Sequence, residues 1–278
     1  MPHFASNDRT LIHFTDWGDP DGRPLVLVHG YGSDQTMWGN QLPAFLDAGL
    51  RCVTYDRRGH GRSDVPGRGY DLDTLAADLA ALVNHLDLRD AVLVGQSLGG
   101  AEVIRCASAQ VGDRTAGLVL SAPSSPALRG TPDNPAGVDD AVWEAARQAM
   151  VADVGAVIEA TDTKDFFGPG HSVSALLADT ARRRFVDLPL PVLLATFDTN
   201  VNVDLRDDLA RLTKPTLVIH GDADVNNPLD LTGRPTAALV PGARLVVVEG
   251  AGHGLYWSAA DRFNAEVLDF VRGLPDRP

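Results

Sequence analysis

The chain has 278 residues, 44% hydrophobic and 22% charged, a balance that supports one sizeable core or a core carrying an insertion. Lysine and arginine number 24 against 37 aspartate and glutamate, a net charge of −13, which argues against nucleic acid and anionic membrane surfaces as partners. Two cysteines set in apolar surroundings, no apolar leader and no run long enough to span a bilayer give the expectation of a reduced, cytoplasmic protein.

Thr10 to Asp16 reads as an opening strand, followed by the turn Asp19-Pro20-Asp21-Gly22. Pro24-Leu25-Val26-Leu27-Val28-His29-Gly30 is a continuous apolar run ending in glycine, the pattern of a strand buried on both faces. Met37 to Ala48 can form a helix over Trp38, Leu42, Phe45 and Leu46, despite Pro43 near its start. Leu50 to Tyr55 is the next buried strand. Thr74 to Leu88 carries Leu75, Leu79, Leu82, Val83 and Leu86 at helical spacing. Ala91 to Val94 is a strand, Leu98 to Gln110 a helix and Ala116 to Ser121 a strand. This alternation specifies a parallel sheet with helices on both faces.

After Ala122-Pro123-Ser124-Ser125-Pro126 the rhythm changes. Up to about Arg211 there are only helical stretches, near Val138 to Ala160, Val173 to Phe185 and Pro191 to Phe197. We read residues 124–211 as a helical cap inserted into a core made of residues 1–123 and 212–278. The core resumes with a strand at Pro215 to Gly221, a helix at Gly233 to Leu239, a strand at Ala243 to Val248 and a closing helix at Ala259 to Arg272.

The chemistry centres on Val94-Gly95-Gln96-Ser97-Leu98-Gly99-Gly100. A serine between two glycines, with a strand before it and a helix after, is the pattern of a nucleophile elbow. Ligands of parallel sheets bind beyond the carboxyl ends of the strands. The other strand ends carry His29-Gly30-Tyr31-Gly32, Asp56-Arg57-Arg58-Gly59-His60-Gly61, Asp222-Ala223-Asp224 and Gly250-Ala251-Gly252-His253-Gly254. Serine, aspartate and histidine therefore occur in the chain order Ser…Asp…His.

These signatures resemble the α/β-hydrolase fold over essentially the whole chain. Within it they most resemble the cofactor-free haloperoxidase or perhydrolase group and its related esterases. The resemblance implies a serine hydrolase of a small carboxylic ester or lactone, with peroxide able to replace water. A carbon–carbon bond hydrolase with the same triad, or a non-catalytic ligand-binding protein on the same fold, stays open.

Ser97 is the expected nucleophile. A serine hydroxyl needs a base, and His253 is expected to supply it, its flanking Gly250, Gly252 and Gly254 letting the loop swing over the elbow. His60 and His220 compete for that role. Asp222 and Asp224 both qualify by position as the acid, and the family pattern falls on Asp224. The oxyanion donors are expected at the backbone N–H groups of Leu98 and Tyr31. Tyr31, Trp38, Trp143, Phe166 and Trp257 are candidate walls of the substrate pocket, with Phe167 beside them. No CxxC, HExxH, phosphate loop or dinucleotide fingerprint is present, so neither metal nor cofactor is expected. Homo-oligomerisation is left open.

Overall fold

The computed structural model describes residues 2–275. Its strands are β1 (His3–Ala5), β2 (Leu11–Trp17), β3 (Pro24–Val28), β4 (Arg51–Tyr55), β5 (Ala91–Gln96), β6 (Thr115–Ser121), β7 (Thr216–Gly221) and β8 (Arg244–Val248). They form one sheet in the order β1-β2-β4-β3-β5-β6-β7-β8. β1 pairs antiparallel with β2, and β2 antiparallel with β4; every other pairing is parallel.

The helices are α1 (Leu42–Asp47), α2 (Leu72–His85), α3 (Leu98–Ala109), α4 (Asp140–Ala160), α5 (Thr163–Phe167) and α6 (Ala175–Val186). They continue with α7 (Leu190–Val201), α8 (Arg206–Arg211), α9 (Gly233–Leu239), α10 (Leu255–Ser258) and α11 (Ala260–Arg272). Every residue of β3 and β5 is buried. Side chains alternate across a strand, so Val26, Val28 and Leu93 pack with Leu79, Val83 and Ile104 of α2 and α3. Leu25, Leu27, Val92 and Val94 face the other way, onto Phe45, Leu255 and Phe263 of α1, α10 and α11. Covering both faces explains why these strands read as unbroken apolar runs. Among the described residues no helix is long and apolar enough to cross a membrane. Both cysteines are buried and free.

Three details differ from the sequence reading. The single helix over Met37 to Ala48 is a 3₁₀ helix over Gln35–Asn40 followed by α1. Pro43 lies at the start of α1, where its missing N–H is harmless, and Asp34 caps the 3₁₀ turn through the Thr36 N–H. The short β1, α5 and α8 carry too few residues to show a period. The long helix α4 is kinked at Asp153, whose carboxylate accepts the Ala156 N–H and so caps the second half.

Between β6 and β7 lie α4 to α8, and this segment builds a cluster of its own around Met150, Leu193, Phe197 and Val201. Tyr31, after β3, packs against this segment: its hydroxyl donates to the Leu193 carbonyl at 3.1 Å and its ring stands edge-on to Phe185.

Candidate active site

Ser97 sits between β5 and α3 with φ 54° and ψ −120°, a conformation that side chains other than glycine rarely adopt. The two motif glycines permit it by close approach. A Cβ on Gly95 would come within 2.3 Å of the Gly99 carbonyl oxygen, and one on Gly99 within 2.4 Å of the Val28 oxygen. The turn is thus as tight as backbone contact allows, and Leu98 begins a helix whose first N–H groups have no intrahelical acceptor.

Asp224 follows β7 and is 4% exposed. Its Oδ1 accepts the N–H groups of Asn226 and Asn227, both at 2.9 Å. Its Oδ2 accepts from His253 Nδ1 at 2.8 Å and lies 3.3 Å from His220 Nε2. Burial alone raises this carboxyl, but the charge of His253 and hydrogen bonds from His220 and His253 outweigh it and hold the pKa well below the usual carboxylate range. An imidazole anchored at Nδ1 by a carboxylate presents Nε2 as a proton acceptor. Asp222, the other candidate, accepts the Gly250 N–H at 2.7 Å and so pins the loop that carries His253.

The glycines around His253 do a different job from the one their spacing suggests. Gly250 alone of the three has positive φ, 67°. Gly252 and Gly254 leave room for the end of α5: a Cβ on either would come within 2.7 Å of the Phe166–Gly168 stretch. The loop is clamped rather than free to swing, with Gly252 and Gly254 donating to the Phe167 and Phe166 carbonyls at 3.0 and 2.7 Å. The Phe166 ring stands edge-on to the imidazole, 5.9 Å between centres.

Neither rival histidine, His60 nor His220, opens onto the cavity that Ser97 and His253 line. His220 donates Nε2–H to the Asn227 carbonyl at 2.8 Å, behind the Asp224 carboxylate. His29 accepts the Arg57 N–H at Nε2, 2.9 Å. Arg57 returns to the same loop, donating to the His29 and Gly30 carbonyls at 2.6 and 3.2 Å while pairing with buried Glu102. The segment leading into Tyr31 is therefore held from behind. His60 is buried against His29, their rings 5.2 Å apart, and bonds the Arg58 carbonyl.

His60 gives a pH-dependent contribution to stability. Burial, with the charge of Arg57, pushes it from 6.5 down to about 3. Below 6.5 the unfolded state therefore binds the extra proton, and stability falls as pH drops from about 6.5 to about 3. Asparagine can keep the bond to the Arg58 carbonyl without titrating. His60→Asn should flatten the stability–pH slope in that window by up to ~1.4 kcal/mol per pH unit, read from urea midpoints.

A cavity of about 400 Å³ lies between the strand ends and the helical segment that follows β6. Ser97, His253 and Tyr31 open onto it, and so do Trp143, Phe166, Phe167 and Trp257. Trp38 does not. It is fully buried in the core beside Tyr256 and Phe263, because the 3₁₀ helix turns it inward.

Two contacts bear directly on the chemistry and are absent from the sequence reading. The Ser97 hydroxyl lies 3.4 Å from the Ser124 hydroxyl, which in turn accepts from Asn227 Nδ2 at 3.3 Å. The Gln96 carboxamide donates to His253 Nε2 at 3.0 Å. Gln96 fits there because Gly30 has no side chain; a Cβ on Gly30 would collide with Gln96 Oε1 at 1.9 Å. Gln96 and Ser124 flank recognisable motifs, but nothing in their spacing announces these partners. Among the described residues no cluster of three or more His, Cys, Asp or Glu side chains is set to hold a metal ion.

The family model described as alpha/beta hydrolase fold matches residues 23–260. A non-heme chloroperoxidase of Kitasatospora aureofaciens is 36% identical over 276 residues, covering 98% of this chain and 99% of its own. A bifunctional esterase/perhydrolase of Acinetobacter calcoaceticus is 30% identical, covering 98% of this chain and all of its own. The crystal structure of a bromoperoxidase from Bacillus anthracis superposes with a TM-score of 0.91 at 33% identity, over 98% of this chain and all of that one.

Proposed function

The chain belongs to the alpha/beta hydrolase fold family, and we propose that within it the protein is a serine hydrolase of small carboxylic esters or lactones, with Ser97, His253 and Asp224 as its triad. The observation that carries this reading is the 2.8 Å pairing of His253 with buried Asp224, on a cavity that the strained Ser97 also enters. Residues 124–211 act as a cap that bounds the cavity and excludes water.

In the reaction the Ser97 hydroxyl turns from Ser124 to His253 Nε2, where it displaces the Gln96 carboxamide. Apo hydrogen bonds of this kind commonly tighten only in the substrate complex. His253 takes the hydroxyl proton as Oγ bonds the substrate carbonyl carbon. The carbonyl oxygen becomes an oxyanion held by the N–H groups of Leu98 and Tyr31, each worth about 3 kcal/mol in the transition state. His253 then passes its proton to the leaving alkoxide, and the acyl group remains on Ser97. Water, deprotonated by His253, releases the acid and restores the hydroxyl.

Hydrogen peroxide can take the place of that water, leaving a peracid and free Ser97. Relatives named chloroperoxidase and esterase/perhydrolase, at 36% and 30% identity, favour this second outcome. The test is rapid mixing with a para-nitrophenyl ester, followed by labelling with a fluorophosphonate. We expect a burst of about one nitrophenolate per chain and a mass shift on the peptide bearing Ser97. An inert protein whose Ser97 takes no label would overturn the reading.

A further inference from the structure

The cavity wall carries charge that the serine chemistry does not use. Arg182 and Arg184 of α6 line it, together with Asp162. Arg182 is occupied: it donates to the Thr161 carbonyl at 3.2 Å and lies 3.5 Å from Asp179.

Arg184 is held differently. Its guanidinium carbon lies 5.5 Å from the centre of the Trp257 ring, which presses the group against the wall. Its ion pair with Asp34 is long, 3.5 Å from Nε to Oδ2. Asp34 caps the Thr36 N–H with its other oxygen, Oδ1, at 2.8 Å, so only Oδ2 faces Arg184, on the Nε side. Arg184 Nη1 is buried with no hydrogen-bond partner among the described residues. A charged donor left this way is unfavourable until an acceptor reaches it. The rest of the wall is largely apolar, with Trp143, Met150, Phe166 and Phe185 prominent. Asp34 offsets the charge on the Nε side only, so the open Nη1 donor is the feature of this wall that favours an anionic acceptor.

We propose that Arg184 is a specificity-determining residue that pairs with a carboxylate carried by the substrate away from its scissile bond. The substrate class is then the monoesters of dicarboxylic acids. The planar guanidinium, backed by the indole, can offer two parallel N–H groups to the two carboxylate oxygens. This inference rests on the serine-hydrolase reading.

The test compares para-nitrophenyl hydrogen adipate with para-nitrophenyl hexanoate. The two esters share a leaving group and a chain length and differ in a terminal carboxylate against a methyl. The quantity read is the adipate-to-hexanoate ratio of kcat/KM, so a general loss of activity cancels. In Arg184→Met that ratio should fall on the order of 10–100-fold, mainly through KM. Arg184→Lys keeps a charge without the planar fork and should fall less. A ratio within about threefold of the parent in Arg184→Met overturns the proposal. Should that variant not fold, the parent protein decides: adipamate should inhibit hexanoate turnover at least about tenfold more tightly than hexanamide, and equal inhibition overturns the proposal. Failure of the underlying reading looks different, because ester turnover would then survive Ser97→Ala.

Discussion

Ser97→Ala should lose ester turnover by on the order of 10⁴–10⁶-fold in kcat while remaining folded. The loss is large because the proposed mechanism routes every bond change through Oγ. What remains should be the small rate that substrate binding and the Leu98 and Tyr31 donors can give to direct attack by water. Stability should move little. Alanine keeps the Cβ that already tolerates φ 54°, so the backbone strain is unchanged. The hydroxyl contributes one long contact, 3.4 Å to Ser124, worth no more than about 1 kcal/mol. Steady-state turnover and a thermal melt separate the two effects. A variant with normal stability and more than about 1% of parent turnover would place the nucleophile elsewhere.

The sheet and the meeting of distant loops are legible in the sequence for the same reason. Buried parallel strands appear as unbroken apolar runs, and chemistry collects where those runs end. Gly95 and Gly99 announce a packing of backbone on backbone so close that an added Cβ on either would collide with a carbonyl oxygen. What stays illegible depends on the register between elements far apart in the chain. Gln96 meets His253 across 157 residues, and only the packed position of both loops brings the carboxamide to Nε2. Arg184 is one of three consecutive arginines in α6, and periodicity cannot say which of them the fold turns toward the cavity. Trp38 and Trp257 look alike as aromatic positions, yet Trp38 is core and Trp257 is wall, a distinction made by a 3₁₀ turn that composition does not encode.

Asp224→Asn should cost about 10⁴-fold in kcat although the two side chains have nearly the same shape. The environment decides which way the amide can lie. Oδ1 accepts two backbone N–H groups, from Asn226 and Asn227, so an NH₂ cannot occupy that side. The amide nitrogen is therefore forced to the side of His253 Nδ1, where it donates instead of accepting. His253 must then carry its proton on Nε2, the atom that should receive the Ser97 proton, and the Gln96 carboxamide now faces a donor as well. Imidazole ¹⁵N shifts would report the exchanged tautomer directly. Stability should change with a definite sign. The Asp224 pKa is depressed in the fold, so its ionised form stabilises the protein above about pH 4, and that contribution fades as pH falls below it. The asparagine variant should lose it at neutral pH and show a flatter acid limb. Asp222→Asn is the matched control, since an amide oxygen still accepts the Gly250 N–H and turnover should stay within about tenfold of the parent. The reverse ranking of the two variants would assign the acid to Asp222 and break the geometry on which the proposed mechanism depends.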